Sequence, residues 1–276
     1  MEGMAAATAV RDDEAVSVLT SSTTPFGSAL RRWRLARGWS QLELSVASET
    51  TSRHVSFLET GRSRPSRDMV DRLAQALGLP LRERNLLFQA AGLAHAYPQS
   101  ALESEDLAAF RMVVDRMLES HDPYPGYAVD GHWNIVRANT AAQAFLATTD
   151  ERNVVWLTYA GPWRDLIDNW YDIAWVGLAR LQADAAQFPQ DEGLAELVSL
   201  AAGAVSGLPR PATDASLRML CPIFRVGEEL VRTISVVAQF GAPLDVTLDE
   251  LRIELVYPAD EHARRFFEHF DDSGWG

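Results

Sequence analysis

At 276 residues, with 47% hydrophobic and 23% charged content, the chain has the length of two ordinary domains and the composition of a globular protein. No run of about 18 apolar residues exists, which excludes a helical membrane span, and the lone Cys221 excludes an internal disulfide and fits a reducing cytoplasm. The net charge of −13 argues against a nucleic-acid partner until it is divided: residues 27–96 carry eleven arginines against six acids (+5), residues 97–276 thirteen against twenty-eight (−15).

Residues 1–25 include Asp12, Asp13 and Glu14 and lack a basic start followed by an apolar core, so they read as a flexible arm rather than a signal peptide. A first helix follows, with Leu30 and Trp33 a turn apart, Arg31, Arg32, Arg34 and Arg37 on its other face, and Gly38 as a left-handed cap. Ser40 and Glu43 have the spacing of a capping box, which opens a second helix at Gln41 with Leu44 and Ala47 inward. Thr50 or Thr51 caps a third helix to about Thr60, with Val55 and Leu58 facing in and Ser52, Arg53 and Ser56 facing out. Gly61 stops it. Pro65 and Ser66 start a fourth, in which Met69, Val70, Leu73, Ala76 and Leu77 repeat at helical spacing. A fifth, roughly 81–91, brings Leu86, Leu87 and Ala90 to close a bundle spanning 26–95.

The pieces LRRWRLARGWSQ and HVSFLETGRSRPS, followed by the apolar fourth helix, closely resemble the Cro/C1-type helix-turn-helix of the xenobiotic-response-element (XRE) regulators. The resemblance implies an all-α five-helix bundle whose partner is a double-stranded DNA operator. It implies DNA-facing roles for Arg37, Ser40, Gln41, Thr51, Ser52, Arg53, Ser56, Arg62 and Arg64. Gln41 would hold a phosphate and Arg62 and Arg64 would lie along the backbone. Thr51, Ser52, Arg53 and Ser56 would face the major groove, with Arg53 the candidate for a guanine edge. Glu59 is expected to satisfy groups inside the domain. Because one recognition helix reads few base pairs, a homodimer on half-sites about 34 Å apart is expected. The plainer alternatives are a bundle whose arginines are a solvated face, and a protein-binding use of the same motif.

The segment AHAYPQSALE reads as a hinge. A helix from about Glu103 to Ser120 places Leu107, Phe110, Val114, Met117 and Leu118 on one side. Asp130-Gly131 is a hairpin signal between Tyr127 and Val129 on one side and Trp133, Ile135 and Val136 on the other. Residues 138–145 look helical. Over 163–181, Trp163, Leu166, Ile167, Trp170, Ala174, Leu178 and Leu181 predict one long amphipathic helix, and 192–205 another. Strands are expected at 218–226, 230–240 and 250–257. The last alternates Leu251, Ile253, Leu255 and Tyr257 with Arg252, Glu254 and Val256, so one face is expected to be buried. A helix over 259–270 carries Phe266, Phe267 and Phe270. The order predicts an α+β domain with an antiparallel sheet over 101–272.

That order is similar to PAS-type sensor folds. PYPGYAVDGHWNIVRAN, RNVVWLTY, DNWYDIAWVGLARLQAD and FPQDEGLAELV resemble the ligand-binding half of the MmyB-type XRE regulators, so that the likeness covers most of residues 27–200. Beyond it, LCPIFRVGEELVRTISVVAQFGAPLDVTLDELRIELVYP stands in place of the family's aromatic-rich segment. The resemblance implies a cavity between sheet and helices for a small hydrophobic ligand, fatty-acid-like or polyketide-like, or a dimerisation role. Trp133, Phe145, Trp156, Trp163, Trp170, Phe224 and Phe240 are the candidate lining; the plainer reading of each ring alone is core.

Neither a metal nor a cofactor is expected: His54, His95, His121, His132, His262 and His269 show no H-x-x-x-H, and no phosphate loop or G-x-G-x-x-G occurs. Gly203 to Gly207 lacks the spacing of a nucleophile elbow. Asp168 and Asp172 read as a solvated helix face rather than an acid–base pair, and Cys221 as a small buried strand residue. The expectation is a non-enzymatic, cytoplasmic, nucleoid-associated regulator. Its rivals are a C-terminal domain that binds a regulatory protein and one that is an enzyme.

Overall fold

The computed structural model describes residues 24–147, 149–211 and 221–269. The expected arm and Phe270 fall outside the described residues, apart from Thr24 and Pro25. The chain divides into two compact units, one up to Leu77 with Ala90–Leu93, the other Gly78–Gln89 with Ala94 onward.

Five helices run as α1 (Pro25–Ala36), α2 (Gln41–Ala47), α3 (Ser52–Glu59), α4 (Arg67–Ala76) and α5 (Leu81–Ala90). The starts of α1 to α4 are set by caps within three residues. Thr24 Oγ1 accepts from Gly27 N at 3.1 Å, Thr51 Oγ1 from His54 N at 3.1 Å and Ser66 Oγ from Met69 N at 3.2 Å. Ser40 and Glu43 close the predicted capping box in both directions, at 3.2 and 2.6 Å. The core of the first unit is Leu30, Trp33, Leu44, Val55, Leu58, Val70, Leu73 and Leu77. Two expectations fail inside it. Ala47 is exposed, and Ser45 and Ser48 are buried in its stead, their hydroxyls bonded to the Leu42 and Leu44 carbonyls at 2.8 and 2.7 Å. Arg34, expected on the solvated face, is buried. Gly27 is a close approach that the sequence did not flag: a Cβ there would lie 2.4 Å from the Glu59 carbonyl oxygen, so α1 passes α3 only over a bare backbone.

Between α2 and α3, Glu49 is held at φ 52°, a left-handed conformation that a side chain resists. Its carbonyl accepts from Arg72 Nη1 at 3.4 Å, a bond that any residue there keeps. Glu49→Gly should therefore stabilise the first unit by about 0.5–1 kcal/mol, read as a rise in Tm; an unchanged Tm would mean that the strain is absorbed elsewhere.

The α5 residues Leu81–Gln89 group with the second unit. Leu86 is exposed there and Phe88 buried, while Leu81 N donates to Asp249 Oδ2 at 3.0 Å.

The rest of the second unit runs as a 3-10 turn (Glu105–Leu107), α6 (Ala108–Glu119), β1 (Gly126–Val129), β2 (Ile135–Ala138), α7 (Thr140–Leu146), α8 (Val154–Tyr159), α9 (Trp163–Leu166), α10 (Trp170–Ala185) and α11 (Glu192–Ala204). It closes with β3 (Ile223–Val226), β4 (Glu229–Ala238), α12 (Val246–Glu250), β5 (Arg252–Pro258) and α13 (Glu261–His269). The five strands form one antiparallel sheet in the order β2-β1-β5-β4-β3. Val114 and Leu118 of α6 cover one face, against Ala128, Leu251, Ile253 and Leu255. The other face carries Phe145, Trp163, Ile167, Phe224, Val231, Val256 and Phe267.

Helices cover both faces of β5, α6 on one and the cavity-side helices on the other, so Glu254 and Val256 are buried with Ile253 and Leu255. The expectation of one buried face is corrected by this two-sided cover, and Tyr257, expected inward, is exposed. The helix expected over 163–181 is broken. Ile167 is extended, at φ −90° and ψ 106°, and bridges to Phe224. Asp168 N donates to the Ile223 carbonyl at 2.8 Å, and the Asn169 amide bonds Cys221 O and Ile223 N at 3.0 and 2.9 Å. Pairing along the edge strand β3 replaces helical bonds there. Asp168 precedes α10 and pairs with Arg225, so Asp168 and Asp172 do not share a helix face. Cys221 lies before β3, not within it. Phe110, expected inward, is partly exposed.

Candidate functional site

In the first unit, Thr51, Ser52 and Arg53 at the start of α3 are exposed and Ser56 one turn on is half-buried, while Val55 and Leu58 of the same helix are fully buried. Arg53 and Arg62 both sit against the Phe57 ring, their guanidinium carbons 5.2 and 5.9 Å from its centroid. The loop that carries Arg62 and the exposed Arg64 folds back on α3, since Arg62 N and Ser63 N both donate to the Phe57 carbonyl, at 2.8 and 3.2 Å. Phe57 thus organises two of the expected DNA contacts, and nothing in the sequence singled it out. Arg37 is exposed at the end of α1. The Ser40 hydroxyl is committed to its capping box.

Gln41 is placed differently from the expectation of a free phosphate contact. Its Nε2 donates to Glu59 Oε2 at 2.8 Å. Glu59 is also gripped by Arg34, Nε to Oε1 at 2.6 Å and Nη2 to Oε2 at 3.0 Å, while Arg34 Nη1 donates to Trp39 O at 2.7 Å. Arg34 and Glu59 are 7% and 4% exposed. This cluster ties α1, α2 and α3 together and fixes the angle at which α3 presents its outer face. Glu59 faces inward, as expected.

The second unit holds a partly open cavity of about 210 Å³ between the inner sheet face and α7, α8, α9 and α10. Trp133, Phe145, Trp163 and Phe224 line it, with Ile135, Leu146, Val154, Val155, Ile167, Ile173, Leu181 and Val256. Three expected lining residues lie elsewhere. Trp156 is on the exposed side of α8. Trp170 turns its Nε1 to Thr158 O at 2.7 Å and its face to the Arg164 guanidinium at 4.1 Å. Phe240 packs on Phe110 at 5.6 Å, on the α6 face of the sheet.

The lining also holds polar groups that were not among the expected site residues: Tyr127, Thr158, Tyr159, Arg180, Ser235 and Glu254. Tyr127 of β1 and Glu254 of β5 are direct cross-strand partners. Arg180 Nη2 donates to Glu254 Oε1 at 2.8 Å, and its guanidinium lies 4.6 Å from the Trp133 centroid, with Arg252 at 5.2 Å. Trp133 itself is held at φ 64°. Burial pushes the Tyr127 phenol pKa up, and the Glu254 charge pushes it further, so the hydroxyl stays protonated. Burial likewise raises Tyr159, whose hydroxyl donates to the Ala174 carbonyl at 2.6 Å.

Residues 25–87 match the model of a helix-turn-helix domain, and residues 110–269, more than half of the chain, match that of the MmyB-like transcription regulator ligand binding domain. The chain belongs to the MmyB-like transcription regulators. No curated protein matches it. The MmyB-like match continues well past residue 200, where the expected resemblance ended, and takes in β3, β4, β5 and α13. This MmyB-like protein is a DNA-binding transcription regulator with a ligand-binding C-terminal domain, the architecture of a non-enzymatic transcription factor. Among the described residues, no helix is long and apolar enough to cross a membrane.

The cavity of this regulator has one apolar body and one polar corner. The corner was missed because its members sit far apart in sequence, on β1, α10 and β5. The available signal was Glu254 itself, an acid between apolar neighbours in a strand.

Proposed function

We propose that this MmyB-like regulator binds a two-fold-symmetric operator as a homodimer of the XRE type, and that a small, mostly apolar molecule in the cavity of the second unit changes that binding. The cavity carries the reading: about 210 Å³ of largely apolar, partly open space inside the ligand-binding domain of a transcription regulator. Thr51, Ser52, Arg53 and Ser56 read base edges, and Arg53 addresses a guanine. Arg37, Arg62, Arg64 and the α2 start at Ser40 and Gln41 lie along phosphates. The molecule acts in the cytoplasm, on the nucleoid, and is not an enzyme; its two charged cavity groups, Arg180 and Glu254, are spent on each other.

A second copy is favoured by the outer sheet face. Ile234, Val236 and Tyr257 are 42, 43 and 40% exposed there, apolar side chains of the kind that subunits cover. Ligand control then requires the cavity occupant to favour one arrangement of the dimer over the other.

Selection of binding sites from randomised duplexes tests the DNA half. An inverted repeat with half-sites about 34 Å apart is expected; a single half-site would overturn the dimer. On the selected site, Arg53→Ala should cost about 1–3 kcal/mol, or roughly 5- to 150-fold in affinity, with salt-sensitive binding to random DNA unchanged. Equal loss on both DNAs would make Arg53 a phosphate contact. Mass spectrometry of an organic extract of the purified chain tests the sensor half, by showing whether a stoichiometric metabolite travels with it.

A further inference from the structure

Resting on the sensor reading above, we infer that the cavity selects a compact apolar molecule bearing a neutral hydroxyl, which donates to Glu254 and accepts from Tyr127, and that it discriminates against carboxylates. Three observations carry this. The first is size. The cavity's volume of about 210 Å³ lies below the roughly 300–1,000 Å³ of pockets for drug-sized ligands, which favours a compact molecule.

The second is the unused hydrogen-bonding capacity of the polar corner. Glu254 is 5% exposed, and among the described residues Arg180 takes its Oε1 only. Oε2 accepts from none of the described residues. Tyr127, its cross-strand neighbour, carries a hydroxyl with no hydrogen-bond partner among the described residues. An acceptor and a donor that converge on one cavity wall suit a group that both gives and takes a hydrogen bond. An alcohol does so; an ether or a hydrocarbon leaves Glu254 unsatisfied, and unsatisfied buried acceptors are costly.

The third is charge. Arg180 and Glu254 neutralise each other. A ligand carboxylate would bring a second negative charge beside the buried Glu254, in a mostly apolar cavity where charge is less well solvated than in water. A neutral alcohol completes the corner without changing its charge.

Three probes of one shape test this by calorimetry on the full chain: 2-naphthalenemethanol, its methyl ether and 2-naphthoate. The alcohol should bind, the ether about tenfold more weakly, and the carboxylate more weakly still, each tenfold being about 1.4 kcal/mol. Tyr127→Phe should weaken the alcohol and the ether alike, since both lose the donor. Glu254→Gln should shrink the gap between alcohol and carboxylate at least tenfold. Should Glu254→Gln fail to fold, the Tyr127→Phe pattern still decides. Naphthoate binding as tightly as the alcohol overturns the selection and leaves the sensor reading standing. A cavity that takes none of the three probes overturns the sensor reading with it.

Discussion

Replacing Glu59 with alanine is expected to cost the first unit about 3–5 kcal/mol and, with it, specific DNA binding. The magnitude follows from what is left behind. Arg34, with its side chain 9% exposed, keeps only its bond to the Trp39 carbonyl, and loses both bonds to the carboxylate. Gln41 loses its partner as well. An arginine cannot shed its proton to escape, because its pKa is far above any working pH, so the charge stays buried and unpaired. The double variant Arg34→Met/Glu59→Leu should recover most of the loss, since an apolar pair of similar size removes the uncompensated charge. Denaturant unfolding of the three proteins checks this. A loss below 1 kcal/mol for Glu59→Ala would mean that water reaches Arg34. Arg53→Ala serves as the contrast: it should lose discrimination with unchanged unfolding.

What the sequence could reveal of this arrangement depended on range. The capping pairs Ser40 with Glu43, Thr51 with His54 and Ser66 with Met69 are three residues apart, and they place the helices of the first unit correctly. Arg31, Arg32, Arg34 and Arg37 look alike in the sequence; only a carboxylate 25 positions away selects Arg34 for burial. The break at Ile167 is decided by Phe224 on the edge strand, and a period of 3.6 through the preceding apolar residues carries no trace of it. Alternation in β5 marks Leu251, Ile253 and Leu255 as buried but also Tyr257, which is exposed, and the burial of Glu254 comes from helices packed on the other face, which no local pattern encodes. The rings that line the cavity were half legible for the same reason. Trp133, Phe145, Trp163 and Phe224 converge through the sheet and helix packing, whereas Phe240 alternates onto the opposite face.

Arg82→Met is expected to destabilise the second unit by about 2–4 kcal/mol near pH 7, below the cost of a fully buried pair because the side chain is 20% exposed. Arg82 Nε donates to Glu250 Oε1 at 2.7 Å, and its two terminal nitrogens pair with Glu250 and Asp191. Its guanidinium also lies 4.9 Å from the Phe188 centroid. Asp191 is more than an ion-pair partner, since its Oδ1 accepts from Leu194 N at 3.0 Å at the start of α11 and its Oδ2 lies 2.9 Å from His132 Nε2. Burial would raise the Asp191 pKa, but the Leu194 amide, His132 and Arg82 together outweigh it and hold the group below its usual value. A depressed carboxylate stabilises the fold above its unfolded pKa, and that stability is lost as pH falls through the folded value. The wild type should therefore weaken only below about pH 4. Without Arg82 the depression of Asp191 is smaller, and protonation relieves the repulsion between two bare carboxylates. The gap between wild type and variant should then be widest near pH 7 and narrow towards about pH 4. Adding Glu250→Gln should recover part of the loss at pH 7. Unfolding measured across that range separates charge from packing, because a gap that stays constant with pH would assign the loss to the contact with Phe188.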